Sequence, residues 1–267
     1  MNPTLFGHVW RSQRTKLLVV CVAILAWSAF LPVIYQSFGS QMKALVDSGI
    51  IPQQLTNFGG GDVFSLEGSI ALGYVHPIAI ILVAIFAIGF AASAIAGERQ
   101  RGTLEVLLAR PISRRTAYVT LLVATLLFIG LVLAAASIGT IVGAAIAGVL
   151  DELVLERLPI LWLNGLLLWG CFAAIALAAS VSFDRLTPAL GATIAIVIVM
   201  YFLDILGSLW PDAKGLQPYS LFHYLTARDI LAGTIDPFPF VLLAVVAAVA
   251  IVFALVEFPR RDLAAPS

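Results

Sequence analysis

Apolar runs long enough to cross a bilayer alternate with short polar segments along almost the whole chain. They cover roughly residues 16–38, 75–96, 117–149, 159–183, 188–209 and 239–258. A helix rising about 1.5 Å per residue needs about 20 apolar residues to cross roughly 30 Å of hydrocarbon. The pattern therefore predicts an all-α membrane protein with six transmembrane helices. The third run is longer than a span needs and is expected to tilt or break. Pro159, Pro188 and Pro239 open three of the runs, where the missing proline N–H would have no partner anyway. His76 and Pro77 mark the start of the second.

The polar segments carry weaker periodicity. Residues 1–16 hold Trp10, Arg11, Arg14 and Lys16, a mixture that suits an interfacial helix lying on a leaflet, with the ring at the interface and the cations on lipid phosphates. Residues 39–74 and 210–238 form two larger loops. In the first, Met42, Leu45 and Val46 fall on one side of a short interfacial helix over 40–47, followed by the glycines at 59–61; in the second, "SLFHYLTARDIL" (220–231) reads as another such helix. Gly139 and Gly143, one turn apart, permit close helix contact, either within one bundle or at a seam between two copies.

Composition settles the class. Hydrophobic residues make up 61% of the 267 and charged residues only 11%, against roughly half and one quarter in soluble domains. Six spans and their loops leave little length for anything else, so residues 1–267 are expected to form a single transmembrane domain. Residues 1–15 are polar and basic without a cleavage-site pattern, so the first span is expected to be retained.

The formal charge of zero hides an asymmetry. With the N-terminus in the cytosol, inner segments hold eleven of the fifteen lysines and arginines and outer segments hold Lys43, Arg157, Lys214 and Arg228. The positive-inside rule then places both termini in the cytoplasm of a multi-pass protein of the cell's inner membrane, and nothing in the distribution marks a nucleic-acid partner.

Charge concentrates most in "GERQRGTLEVLLARPISRRT" (97–116), with five of the twelve arginines. Leu104, Leu107 and Leu108 recur at helical spacing and give a short helix one apolar face. Gly102 and Thr103 supply a start, Thr103 as a cap and Glu105 as an acid in the first turn. Pro111 ends the helix, because the residue before a proline is pushed out of helical geometry, and Ser113 can cap the next one. A helix of under three turns is marginal alone and must pack on something.

Catalytic chemistry has no visible carrier. Lys16, Lys43 and Lys214 each lack a preceding glycine, so the chain has no phosphate-binding loop of the Gly-Lys type. No His-Glu-x-x-His, Gly-x-Gly-Asp or Gly-x-Ser-x-Gly motif lies in a span. His8, His76 and His223 are scattered; Cys21 and Cys171 sit within apolar spans as packing residues. No catalytic, cofactor or metal residues are assigned. Asp204 is the one ionisable candidate within a span, near its outer end, where an interfacial carboxylate is the simpler reading than part of an ion relay.

One segment carries a family resemblance. "ERQRGTLEVLLARPISR", Glu98 to Arg114, resembles the segment after the second span in permeases of the type 2 ABC exporter family, whose pattern is Glu-basic-x-x-Gly-Thr-Leu-Glu-x-Leu-Leu-x-x-Pro-x-Ser-Arg. The resemblance implies that this is the cytosolic coupling helix, with Glu98, Gly102, Thr103, Leu104, Glu105, Leu107, Leu108, Pro111 and Arg114 engaging a separate ABC ATPase subunit. It implies a working complex of two permeases and two ATPase subunits, with ATP and Mg held by the partner and no cofactor in this chain. By the same resemblance, residues 1–16, with Trp10, Arg11 and Arg14, become a connecting helix touching both lipid and ATPase, and the short extracellular helices become an outer gate. Glu98 is expected to meet Arg101 or Arg114 or to stand as a solvated end charge. "SFDRLT" (182–187) is either a second cytosolic contact or a turn capped by Asp184. An ion-coupled carrier and a membrane anchor or assembly factor without transport are the alternatives.

Overall fold

A computed structural model describes residues 1–48, 64–103 and 112–261. Among these residues there is no strand. Among them five helices are long and apolar enough to span a membrane, or six if one bent pair is counted as a span.

The first helix, α1, runs from Pro3 to Asp47 without a break, with Pro32 inside it. The N-terminal segment is thus helical but is not a separate element on the leaflet, and the stretch predicted over 40–47 is likewise the end of the same helix. The reason lies in one continuous stripe. Leu5, Val9, Leu17, Val20, Ile24 and Leu31 are all buried, so a kink after residue 16 would pull the first turns off their packing surface. Asn2 secures the start: its Oδ1 accepts the Leu5 N–H at 2.9 Å and its own N–H donates to Thr120 Oγ1 at 2.8 Å.

The second span starts earlier than its apolar run. Helix α2 (Leu66–Val75) is capped by Ser65, and α3 (Pro77–Ser93) follows after a bend of 46°. The bend sits where proline restricts the residue before it: His76 is extended (φ −68°, ψ 142°), and its ring Nδ1 accepts the Ile78 N–H at 3.3 Å. A π-helical turn, Ile85–Phe90, interrupts α3. Beyond it lies α4 (Ala96–Gln100). The junction is spliced by the buried Ser180, whose hydroxyl accepts from Ile95 N at 3.1 Å and Ala96 N at 2.9 Å and donates to Ala92 O at 2.7 Å.

The third apolar run neither breaks nor bends at a proline. It is α5 (Arg114–Ala147), ended by Gly148 in the left-handed region at φ 71°. Helices α6 (Leu158–Ser182), α7 (Leu186–Leu209) and α9 (Phe238–Arg260) supply the remaining spans, with the short α8 (Ala227–Ala232) between the last two. α5 and α6 form the centre: α1 packs along α5 and α9 along α6. The two central helices bury most of their apolar windows, whereas α7 and α9 bury 17% each, so the outer helices present apolar faces to lipid or to another chain.

Gly139 and Gly143 resolve to contact within the bundle. A Cβ at Gly139 would lie 2.3 Å from the Leu25 carbonyl oxygen, and one at Gly143 would lie 2.1 Å from that of Ala29. The glycines bring the backbones of α1 and α5 together. Two aromatic groups fill the rest, Trp10, Phe86 and Phe90 around Phe128 and Trp169, Phe172 and Tyr201 around Phe222.

Segment 220–231 is not one helix. A 3-10 turn, Leu221–Tyr224, and α8 are separated at Leu225 and Thr226. The buried Asn164 of α6 holds that gap open, its amide donating to Tyr224 O and accepting from Thr226 N, both at 3.0 Å. Arg157 donates to the Leu231 carbonyl, and Ser220 Oγ donates to Met200 O at 2.6 Å. This acid-rich end of the bundle is thereby tied down by the buried Asn164 and Ser220 and the half-buried Arg157.

Candidate functional site

The other, arginine-rich end gathers the segments around residues 97–116. Leu104, Glu105, Leu107, Leu108 and Pro111 lie outside the described residues, so the predicted short helix is known here by its two flanks.

The leading flank is a helix ending. Gly102 takes φ 70°, its N–H donates to Arg99 O at 3.0 Å, and the Thr103 N–H donates to Glu98 O at 3.0 Å. This double closure around a left-handed glycine is a Schellman cap. Thr103 therefore closes α4, where the pattern predicted a cap for the short leucine helix: its hydroxyl points back and donates to the Glu98 carboxylate at 2.6 Å. The same carboxylate pairs with Arg101. Glu98 accordingly meets Arg101 and not Arg114, because both are on one short helical turn while Arg114 points elsewhere.

The trailing flank opens α5. Ser113 caps it as predicted, its Oγ accepting the Thr116 N–H at 3.1 Å. Arg114 reaches the end of α9, where its Nη1 donates to Phe258 O at 3.1 Å and Arg261 O at 2.6 Å. Carbonyls at a helix C-terminus are left without intrahelical donors and carry partial negative charge, which a guanidinium satisfies.

Four further residues, Arg99, Gln100, Asp184 and Arg261, complete this face. Arg99 and Arg261 both place a nitrogen 2.8 Å from Asp184 Oδ1. Asp184 does not cap α7; the cap position is Arg185, with no side-chain bond. Gln100 instead accepts the Leu186 N–H at 2.9 Å through its Oε1. Arg99 was visible only as the basic position of the motif, and Arg261 only as one more positive charge. Nothing in local spacing links residues 99, 184 and 261.

Trp10, early in α1, is stacked on Phe128 of α5 at 5.9 Å. Arg11 and Arg14 are exposed beside it. The three do not meet the described flanks of the 97–116 loop through any hydrogen bond or ion pair among the described residues.

At the acid-rich end, a cavity of about 540 Å³ lies between the end of α7, the following turns and the start of α9. Asp204, Gln217, His223 and Asp236 line it. Gln217 donates to Asp204 O at 3.3 Å and Ser208 Oγ at 3.2 Å, and burial holds the His223 imidazole below its ordinary pKa. Among the described residues no group of three His, Cys, Asp or Glu side chains is placed to hold a metal ion, and Cys21 and Cys171 are unpaired.

A family model described as ABC-2 family transporter protein matches residues 6–263. The chain belongs to the ABC-2 transporter family. No curated protein matches it. As an ABC-2 permease, the chain is a membrane-spanning transport subunit of an ABC transporter, and the match covers all the spans and both ends of the bundle. The arginine-rich face and the cavity at the acid-rich end both lie within the matched residues.

Proposed function

We propose that this permease moves a substrate out of the cytosol or the inner leaflet, using ATP hydrolysed by a separate ABC ATPase, with residues 97–116 as the coupling loop. The observation that carries the reading is the anchoring of that loop on both flanks: a capped, motif-bearing helix end at Glu98–Thr103 and Arg114 on the end of the last span. A loop held at both ends transmits a push into the helices that hold it. The arginine-rich face then lies in the cytosol, both termini with it, and the cavity faces outward. Two permeases with two ATPase subunits complete the transporter, ATP and Mg being bound by the partner.

Purification in mild detergent tests the reading. The chain is expected to carry an ABC ATPase with it and to show vanadate-sensitive ATP hydrolysis. A stable permease that purifies without any ATPase, and whose transport follows an ion gradient, would show an ion-coupled carrier.

Orientation has its own test. With Cys21 and Cys171 replaced, a cysteine at Ser113 should resist an impermeant thiol reagent in intact cells and react after permeabilisation, whereas one at Glu152 should react in both. Labelling of Ser113 in intact cells would turn the molecule over and remove the coupling role.

Glu98 is a structural elbow in this reading. Glu98→Gln keeps an acceptor for Thr103 and loses only the exposed pair with Arg101, which is worth about 1 kcal/mol or less. Membrane insertion is therefore expected at the wild-type level, with ATP-driven transport reduced more than insertion. Wild-type transport in Glu98→Gln would return Glu98 to an ordinary end charge.

A further inference from the structure

The ties at the arginine-rich face form a closed ring, and we propose that Asp184 is a positioning residue through which movement of the coupling loop reaches the last two spans. The inference rests on the permease reading above and goes beyond it, since the 183–185 turn lies outside the loop motif and the family match, which spans it, gives it no role.

The ring has three links. From the loop's leading flank, Arg99 Nη1 contacts Asp184 Oδ1 at 2.8 Å and Gln100 accepts the first N–H of α7 at 2.9 Å. From the turn to the last helix, Arg261 Nη2 contacts the same Oδ1 at 2.8 Å while its Nη1 donates to Val181 O. From the last helix back to the loop's trailing flank, Arg114 donates to Arg261 O at 2.6 Å. Both flanks of the loop thus meet each other through the start of α7 and the end of α9.

Asp184 supplies the carboxylate of these links among the described residues, and two guanidinium groups converge on one of its oxygens. Its side chain is 59% exposed, so it contributes little to packing, and it caps no helix. Arg99, by contrast, is only 8% exposed. An exposed carboxylate of this kind is nearly dispensable for folding; its evident work is to hold two arginines from separate segments at one point. Neutralising it loosens both links at once and leaves the covalent turn in place. The loop is then tied to α7 only through Gln100 and to α9 only through Arg114, and its movement is passed on less fully.

The experiment uses the permease with its ATPase subunits in nanodiscs, in a background lacking Cys21 and Cys171 and carrying Thr234→Cys on the outer loop. The rate of maleimide labelling at residue 234 is measured with and without ATP, Mg and vanadate. Asp184→Asn is expected to retain the ATPase subunits and hydrolysis within about twofold, and to shrink the ATP-dependent change in labelling by about fivefold or more. Asp184→Glu, which restores the charge, is expected to recover most of that change.

A response in Asp184→Asn equal to that of its parent overturns the proposal. So does loss of the ATPase subunits, which would make Asp184 a docking residue, or an equal loss in Asp184→Asn and Asp184→Glu with a parallel fall in thermal midpoint, which would make it merely structural. A parent that retains no ATPase sinks the functional reading and this inference with it. A parent that retains ATPase and responds, beside an Asp184→Asn that also responds, sinks the inference alone.

Discussion

Leucine at Gly143 is expected to prevent α1 from seating on α5 and to leave little folded permease in the membrane. A Cβ there would lie 2.1 Å from Ala29 O and 2.7 Å from both Ala29 C and Cα. No flexible side chain is available to yield, since the opposing atoms are the backbone of α1. The same holds one turn earlier, where Gly139 faces Leu25 O at 2.3 Å. Overpacking typically costs about 1–3 kcal/mol and occasionally more; a clash between two backbones belongs at the upper end, because relief means moving an entire helix. Much of the core depends on that helix staying in place, from Trp10 on Phe128 to Trp27, whose indole donates to Gly73 O at 3.1 Å.

The control is Gly191→Leu on α7, where nothing lies within 4 Å of an added Cβ. It is expected to behave like wild type in membrane yield and thermal midpoint. The comparison also separates the two readings of the glycine pair. At a seam between copies, Gly143→Leu would leave a stable monomer and lower only the dimer fraction. Normal yield and midpoint in Gly143→Leu would contradict the close approach of α1 and α5.

How much of this was legible beforehand differs from element to element. The spans were legible because hydrocarbon thickness forces an apolar length, and α6, α7 and α9 begin and end within two residues of the runs. The start of the second span was not, because Leu66–Val75 contains a glutamate, a serine and two glycines and its apolar character shows only after it is placed beside Pro77–Ser93. Continuity of α1 was hidden for a related reason. Trp10, Arg11 and Arg14 read as interfacial residues, while the buried stripe Leu5, Val9, Leu17 that carries the helix straight on is visible only against the surface of α5.

The arginine-rich face shows the same division. The Glu98–Arg114 motif and the Ser113 cap are local, and local order is written in local spacing. Arg99, Asp184 and Arg261 are brought together by three separate span ends, a coincidence in space that no window of sequence contains. Asn164 is a parallel case at the far end. An asparagine inside an apolar run gives no hint that it will clamp a loop 60 residues later, though a buried amide must find partners somewhere.

Leu107→Asp has the largest expected functional effect, and it decides why an oily chain concentrates arginines around one short apolar repeat. If the loop only decorates the membrane surface, its leucines lie on lipid or on the bundle, and a charge among them lowers expression or stability. If the loop docks in a groove of an ATPase, Leu107 is the middle of the patch formed with Leu104 and Leu108, and an unpaired carboxylate buried against the partner costs several kcal/mol or more. The spans should not register that cost, because the flanks are held independently by the Gly102 cap on one side and by Ser113 and Arg114 on the other. Leu107→Asp is therefore expected to insert and dimerise normally, to lose the ATPase subunit on purification, and to lose ATP-driven transport with it. Glu105→Gln, a change of one rim charge, is expected to cost about 1 kcal/mol or less and to keep the partner. An ATPase that stays bound to Leu107→Asp, hydrolysing and transporting at the wild-type rate, would mean that the arginines mark the inner face of the membrane and nothing more.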